Sequence, residues 1–158
     1  MTDGPEIVED AGEVVDRFWP YDGPHSAESV ASAAAALGWL VRYLNNATGP
    51  GNAARTLPYA ASADRVISNL GHTVGLFPQL LGQLCEFLDH QAQVPTLYDD
   101  RRDRPGAGTA AELIDQLCGA HQTVLVLGEQ LAAAARLSSH LGNDTEDPDR
   151  EVSRWPPE

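Results

Sequence analysis

Two cysteines and the polar residues near them are the closest this sequence comes to a site that could do chemistry. Cys118 and His121 stand three residues apart, a spacing that puts both on one face of a helix. Cys85, Glu86 and His90 form a second such group earlier in the chain. Thiolate and imidazole groups bind zinc, so a metal site between two facing helices is one hypothesis. Buried cysteine is ordinarily a small apolar core residue, and on that basis we predict core thiols and no metal.

The motifs of common enzyme classes are missing from the sequence. All ten cations are arginine, and the absence of lysine excludes a P-loop or a Schiff base. The sequence contains no Gly-x-Ser-x-Gly, no His-Glu-x-x-His and no Glu-x-x-His. No nucleophile, base and orienting group stand together. We therefore predict a protein that is not an enzyme, with no catalytic residues and no cofactor.

The charge of the chain is acidic and sits mainly at its two ends. Acidic residues number 23 and arginines 10, which gives a net charge of −13. Residues 1–24 hold seven acids and one arginine, and residues 142–158 hold six acids and two arginines. This excess disfavours direct binding to nucleic acid. We predict an acidic N-terminal segment with a short helix at 1–24, a helical bundle domain at 25–141, and an acidic disordered tail at 142–158.

The apolar residues give no sign of a membrane protein. No run of about 18 apolar residues is present, and no apolar stretch follows a basic N-terminal segment. Two cysteines in a chain without a secretory signal are typical of reduced thiols. We therefore expect a cytoplasmic location and no membrane partner.

The elements that must position these residues are long helices. The clearest pattern runs from Thr109 to Leu141, where apolar residues recur at alternating spacings of four and three. Its seam comprises Leu113, Leu117, Ala120, Val124, Leu127, Leu131, Ala134, Ser138 and Leu141. Thr109 and Glu112 have the spacing of a capping box, and Gly142 follows the last turn. These signals predict a helix over 109–141.

A second pattern, over 60–90, continues across a proline. Its seam comprises Ala63, Val66, Leu70, Thr73, Phe77, Leu80, Leu84 and Phe87. Proline in a helix interior costs about 3 kcal/mol, yet the apolar phase is kept on both sides of Pro78. We predict one long kinked helix, or two helices end to end with a short break.

Two further helices complete the expected fold. Ser26 is a candidate N-cap for a helix from Ala27 to Ala47, and the stretch from Glu6 to Trp19 predicts a shorter one. No period-two alternation is long enough for a sheet. The predicted fold is all-α: an up-down-up bundle of three long helices, one kinked at Pro78, with a short N-terminal helix packed against them.

Two functions from different classes fit this fold. The first is a non-enzymatic interaction or regulatory module that binds another protein or self-associates, with Trp39 and Tyr43 as candidate partner-binding residues. The alternative is a bundle that binds a small apolar ligand or metal between the kinked helix (60–90) and the long helix (109–141). A cavity near Pro78 would favour the alternative, and an apolar surface patch or a symmetric dimer would favour the first.

Parts of residues 30–90 carry a resemblance to other proteins. The segments are Val41-Arg42-Tyr43-Leu44-Asn45-Asn46-Ala47-Thr48, Leu57-Pro58-Tyr59 and Leu76-Phe77-Pro78-Gln79-Leu80-Leu81-Gly82-Gln83-Leu84. Together they resemble small all-helical proteins of actinomycetes, which share a Tyr-Leu-Asn-x-Ala-Thr stretch and a later Leu-Pro-Gln. The resemblance implies an all-α fold and a cytoplasmic bacterial setting. It implies no activity, and no role is carried over to any residue.

Overall fold

The structure, a computed structural model, describes residues 10–101 and 104–143. These residues form two compact units that divide between Thr56 and Leu57. The described residues contain five α-helices and, apart from an isolated bridge between Tyr98 and Pro105, no β-structure. The all-α prediction is therefore confirmed. Two stretches lie outside the described part of the chain. They are residues 1–9 of the predicted acidic N-terminal segment, and residues 144–158, which make up most of the predicted acidic tail.

The first unit begins with a short helix, α1, at Ala11–Phe18. The Asp10 carboxylate caps it by accepting a hydrogen bond of 2.8 Å from the backbone N–H of Gly12. The chain then turns, and Gly23 adopts a positive φ of 84° that favours glycine. Helix α2 follows at Ala27–Ala47, with the bounds that the sequence predicts.

Both ends of α2 are fixed by side chains. Ser26 and Ser29 form a reciprocal capping box at its start, which confirms the predicted N-cap. After α2, the one-turn helix α3 at Ala53–Thr56 folds back onto the end of α2. The Thr56 hydroxyl donates to the carbonyl of Ala47 at 2.7 Å, and the Asn52 amide donates to the carbonyl of Asn46 at 3.0 Å. These bonds satisfy carbonyl groups that a helix end otherwise leaves unpaired.

The second unit contains two 33-residue helices. Helix α4 spans Ala60–Ala92 as one continuous helix with Pro78 inside it, so the two-helix option for this region is wrong. Helix α5 spans Gly106–Ser138. Each is about 50 Å long at 1.5 Å per residue. A kink at Pro78 stays a prediction.

The start of α5 differs from the predicted 109–141. The helix begins three residues earlier, and its N-cap is Pro105, which makes no side-chain capping bond. The Thr109 hydroxyl donates instead to Asp99, and Glu112 pairs with Arg104. The predicted capping box is therefore wrong, because loop residues compete for both of its side chains.

Helices α4 and α5 form an antiparallel hairpin. The third long helix of the predicted bundle, α2, belongs to the first unit. The up-down-up arrangement of three helices therefore stays a prediction. None of the helices in the described ranges has the length and apolar character needed to cross a bilayer.

Candidate functional site

The contact between α4 and α5 keeps one constant register. The Ser138 hydroxyl donates to the Asp64 carboxylate at 2.5 Å. Gly71 lies seven residues after Asp64 on α4, and Leu131 lies seven residues before Ser138 on α5. A Cβ built on Gly71 would lie 3.6 Å from the Cβ of Leu131. A further three residues bring Val74 next to Gly128. Equal steps along both helices show a regular seam of the coiled-coil type.

This seam is not the one that the sequence predicted for α4. The side chains of α4 that are half-buried at helical spacing include Ile67, Val74, Leu81, Cys85 and Leu88. The predicted stripe lies beside this seam, and most of its large residues are exposed. Leu84 is 43% exposed and Phe87 is 57% exposed, and Leu70 and Leu80 are also open to solvent.

Helix α5 carries a corresponding stripe. Leu113, Ala120, Leu127 and Ala134 each precede a seam position of α5 by one residue; Leu113 and Leu127 are 45% and 42% exposed, and Ala134 is half-buried. The polar residues Gln116, Thr123 and Gln130 hold the intervening positions of this stripe. The α4 stripe likewise precedes its seam, as Leu84 precedes Cys85. An antiparallel helix pair has approximate two-fold symmetry about an axis normal to the plane of the two helices. Equivalent positions on the two helices therefore lie on the same side of the hairpin.

Together the two stripes make one surface, which we call the apolar face. It comprises Val66, Leu70, Thr73, Phe77, Leu80, Leu84 and Phe87 of α4 and Leu113, Ala120, Leu127 and Ala134 of α5. None of these residues is charged. At 100° per residue, Glu86 and Asp89 near the end of α4 fall on the opposite side, and α4 has no Asp, Glu or Arg between Arg65 and Glu86. A large uncharged surface of this kind is typical of an interaction site.

The candidate metal residues pair only in part. Cys85 on α4 and Cys118 on α5 are close enough to interact electrostatically, and both are free thiols. Partial burial, and next the electrostatic interaction and hydrogen bonding with Cys118, raise the pKa of Cys85. No group of three or more His, Cys, Asp or Glu side chains among the described residues is placed to hold a metal ion. Cys85 is half-buried at the α4–α5 seam, whereas Cys118 is exposed, so the prediction of core thiols is wrong for Cys118.

The loop between α4 and α5 is organised by Asp99, which the sequence analysis missed. This buried carboxylate accepts hydrogen bonds from the Thr109 hydroxyl, the backbone N–H of Arg101 at 2.9 Å and Nε of Arg104 at 3.4 Å. These three donors, Thr109 first, lower the pKa of Asp99. Asp99 stands next to Asp100 in the sequence, and sequence alone does not show which of these acids the loop encloses.

Two cavities among the described residues of the second unit lie at its loop end, away from Pro78. One of about 150 Å³ lies between the loop and both helices, where Leu88, Leu97, Tyr98 and Ala110 contribute to its wall. Another, of about 390 Å³, is an open groove along the first turns of α5, from Thr109 to Gln116. The first is smaller than the 300 Å³ or so of an ordinary ligand site, and the second is open. Neither lies near Pro78, where a cavity would favour the ligand-binding alternative.

The candidate partner-binding residues of the first unit, Trp39 and Tyr43, stand one turn apart on α2 and both are exposed. The guanidinium of Arg42 lies 5.0 Å from the centroid of the Trp39 ring, within the range of a cation–π contact. That contact holds the indole on the surface of α2, where a partner could reach it.

Comparison of the chain with protein-family models, with curated proteins and with solved structures finds no match. The case for its function therefore rests on its own residues.

Proposed function

We propose that this protein is a non-enzymatic, cytoplasmic helical interaction module, which binds a protein partner through the apolar face of its α4–α5 hairpin. The observation that carries the proposal is the exposure of large side chains along that face, with Leu84 at 43%, Phe87 at 57% and Leu127 at 42%. Single exposed leucines are ordinary, but four large exposed side chains on one side of α4 (Leu70, Leu80, Leu84 and Phe87), with Leu113 and Leu127 on α5, are not. The free thiols of Cys85 and Cys118 fit a cytoplasmic setting.

The chemistry of the face determines the kind of partner. Because the face carries no charge, the bound surface is apolar, and association is driven by removal of apolar area from water. Such binding is insensitive to added salt, in contrast to binding between charged surfaces. The net charge of −13 and the uncharged face both argue against nucleic acid as a partner.

Trp39 and Tyr43 form a second proposed contact surface, on the first unit. Aromatic side chains with a polar atom at one end are frequent anchors at protein interfaces. Replacing both with alanine is expected to weaken binding to a partner and leave the helicity of the chain unchanged. Circular dichroism and a binding titration measure the two effects separately.

The proposed function is tested by photo-crosslinking in the cells that make the protein. A photoreactive phenylalanine derivative replaces Leu127 in one variant and Val126 in the other. Both residues are exposed aliphatics on α5, at 42% and 54%, and only Leu127 belongs to the apolar face. We expect one protein adduct of defined mass from position 127 and none from position 126. Absence of adducts at 127, or equal adducts at both positions, would refute the proposal.

A further inference from the structure

We propose that Cys85 and Cys118 are a site of reversible oxidation, where a low-molecular-weight disulfide converts the two thiols into a disulfide between α4 and α5. Both thiols are free in the structure. The sequence contains no other cysteine, so an intramolecular disulfide can join only this pair. This oxidation goes beyond the proposed function, because it does not depend on what binds the apolar face.

The register of the helix pair places the two cysteines at nearly one level. Val74 lies beside Gly128. Eleven residues further along α4 comes Cys85, and eleven residues back along α5 comes Leu117. Equal steps keep a constant register in an antiparallel pair, so Cys85 is level with Leu117. Cys118 follows Leu117 and therefore lies about 1.5 Å from that level along the helix axis.

The distance across the seam also suits a disulfide. Packed helices have axes about 8–10 Å apart, and Cα atoms lie about 2.3 Å from each axis. Cα atoms at one level on or beside the facing sides are therefore about 4–7 Å apart, and a disulfide joins Cα atoms about 4.4–6.8 Å apart. The side chains of Cys85 and Cys118 interact across this gap, because electrostatic interaction and hydrogen bonding with Cys118 act on Cys85.

The exposed thiol, Cys118, reacts first with the small disulfide. As its thiolate, Cys118 attacks one sulfur of the small disulfide, whose sulfur–sulfur bond breaks. One half becomes bonded to Cys118, and the other half leaves as a thiolate. The Cys85 thiol then releases its proton to water and attacks the Cys118 sulfur, which expels the second half as a thiolate. In total, two protein thiols are oxidised to one disulfide, and one small disulfide is reduced to two thiols.

The position of Cys85 favours the second step. Because Cys85 is held half-buried at the seam, it meets Cys118 of its own chain far more often than a thiol in solution does. The resulting disulfide closes residues 86–117 into a ring and joins the two helices near their loop end. Cys118 follows its seam residue, whereas the residues of the apolar face precede theirs, so the disulfide lies on the other side of the hairpin and leaves the apolar face open.

The test equilibrates the full chain with mixtures of oxidised and reduced glutathione and identifies the products from the mass of the intact protein. The matched control is the double variant Cys118→Ser/Gln122→Cys, which moves the exposed thiol one helical turn along α5, away from Cys85. At fixed reduced glutathione, we expect the wild type to form its intramolecular disulfide at a concentration of oxidised glutathione at least about 100-fold lower than the displaced pair requires.

Two further measurements accompany this titration. The Cys85→Ser variant is expected to hold glutathione on Cys118, because the thiol that would release it is absent. Circular dichroism is expected to show the same helicity in the reduced and oxidised wild type, because the register already places the two thiols together.

A wild type that stays reduced, or that forms only glutathione adducts or disulfides between two chains, would overturn the proposal. Equal oxidation of the wild type and the displaced pair would do the same, because the register of α4 and α5 would then not select the partner thiol. A disulfide that forms only with loss of helicity, or a Cys85→Ser variant that takes up no glutathione, would also contradict it. None of these outcomes changes the crosslinking result at position 127, which tests the proposed function separately.

Discussion

The Ser138 hydroxyl donates a hydrogen bond of 2.5 Å to the Asp64 carboxylate, across 74 residues of chain. The bond joins the fifth residue of α4 to the last residue of α5, and Ser138 is buried. It therefore closes the open end of the hairpin, at the opposite end from the loop. A buried hydrogen bond to an ionised group contributes about 1.5–3 kcal/mol to stability.

Removal of this hydroxyl is expected to destabilise the hairpin. Ser138→Ala leaves the Asp64 carboxylate without its donor, and we expect a loss of about 1–2 kcal/mol in the free energy of unfolding. Ser139→Ala is the control, because the exposed Ser139 hydroxyl donates only to the carbonyl of Arg136 in its own helix. Urea unfolding followed by circular dichroism measures both. Equal losses in the two variants would show that the bond to Asp64 contributes nothing.

Gly106, the first residue of α5, is required by close contact with the loop. A Cβ at this position would lie 2.8 Å from backbone atoms of Leu97 and Tyr98, which cannot shift without moving the loop. We expect Gly106→Ala to cost about 1–3 kcal/mol. Gly108→Ala is the control, since its Cβ would meet nothing within 4 Å, and alanine favours the helix there. The same urea experiment would contradict this account if both variants gained stability.

The lowered pKa of Asp99 is expected to make the free energy of unfolding depend on pH in the acidic range. Its pKa in the folded protein lies below the ordinary value of 3.8, because Thr109, Arg101 and Arg104 donate to the ionised carboxylate. A carboxyl group whose pKa is lower in the folded protein than in the unfolded chain stabilises the fold at pH values above its unfolded-state pKa. This stabilisation is lost as the pH falls through its folded-state pKa. We therefore expect Asp99→Asn to remove part of the acid dependence below about pH 4.

Thermal unfolding at a series of acidic pH values measures this effect. Asp100→Asn is the control, because Asp100 is exposed in the same loop. The control is expected to retain the wild-type acid dependence. If Asp99→Asn and the wild type lose stability in parallel down to about pH 2, Asp99 does not hold the loop as described.

The two thiols are expected to react in a fixed order. Cys118 is exposed, whereas Cys85 is half-buried and has a raised pKa, so less of it is the reactive thiolate at neutral pH. Iodoacetamide is therefore expected to modify Cys118 first, and peptide mass spectrometry over time gives the order. Urea is expected to abolish the difference. Faster modification of Cys85 in the folded protein would place it outside the α4–α5 seam.

The sequence predicted the helices better than their contacts. The bounds of α2 and the continuity of the apolar phase through Pro78 follow from local patterns, and the structure has both. The seam of α4 does not follow from local patterns. The apolar arc of α4 is wide enough for two neighbouring stripes, and periodicity alone does not decide which stripe meets α5. Gly71 and Gly128 decide it, since close approach of the helices is possible only where side chains are small.

The candidate site was predictable only in the same limited sense. The residues of the apolar face were identified from sequence as a helical seam, and their exposure became apparent only when α5 was seen to occupy the neighbouring stripe. The arrangement of the loop between α4 and α5 was harder still to predict from the sequence. Which of several adjacent acids becomes buried depends on the path of the chain around Asp99, which no local spacing encodes.

Hydroxyl-radical footprinting of the full chain tests the central claim, that the apolar face is covered when the protein functions. The labelling of Leu84, Phe87 and Leu127 is compared with that of Leu76 and Val126, which are comparably exposed on the outer side of the hairpin. Under native conditions we predict strong protection of the first three and full labelling of the other two. The experiment is carried out over a range of protein concentrations, and again in the presence of an extract of the cells that make the protein. Equal labelling of both sets of residues under all of these conditions would contradict the claim.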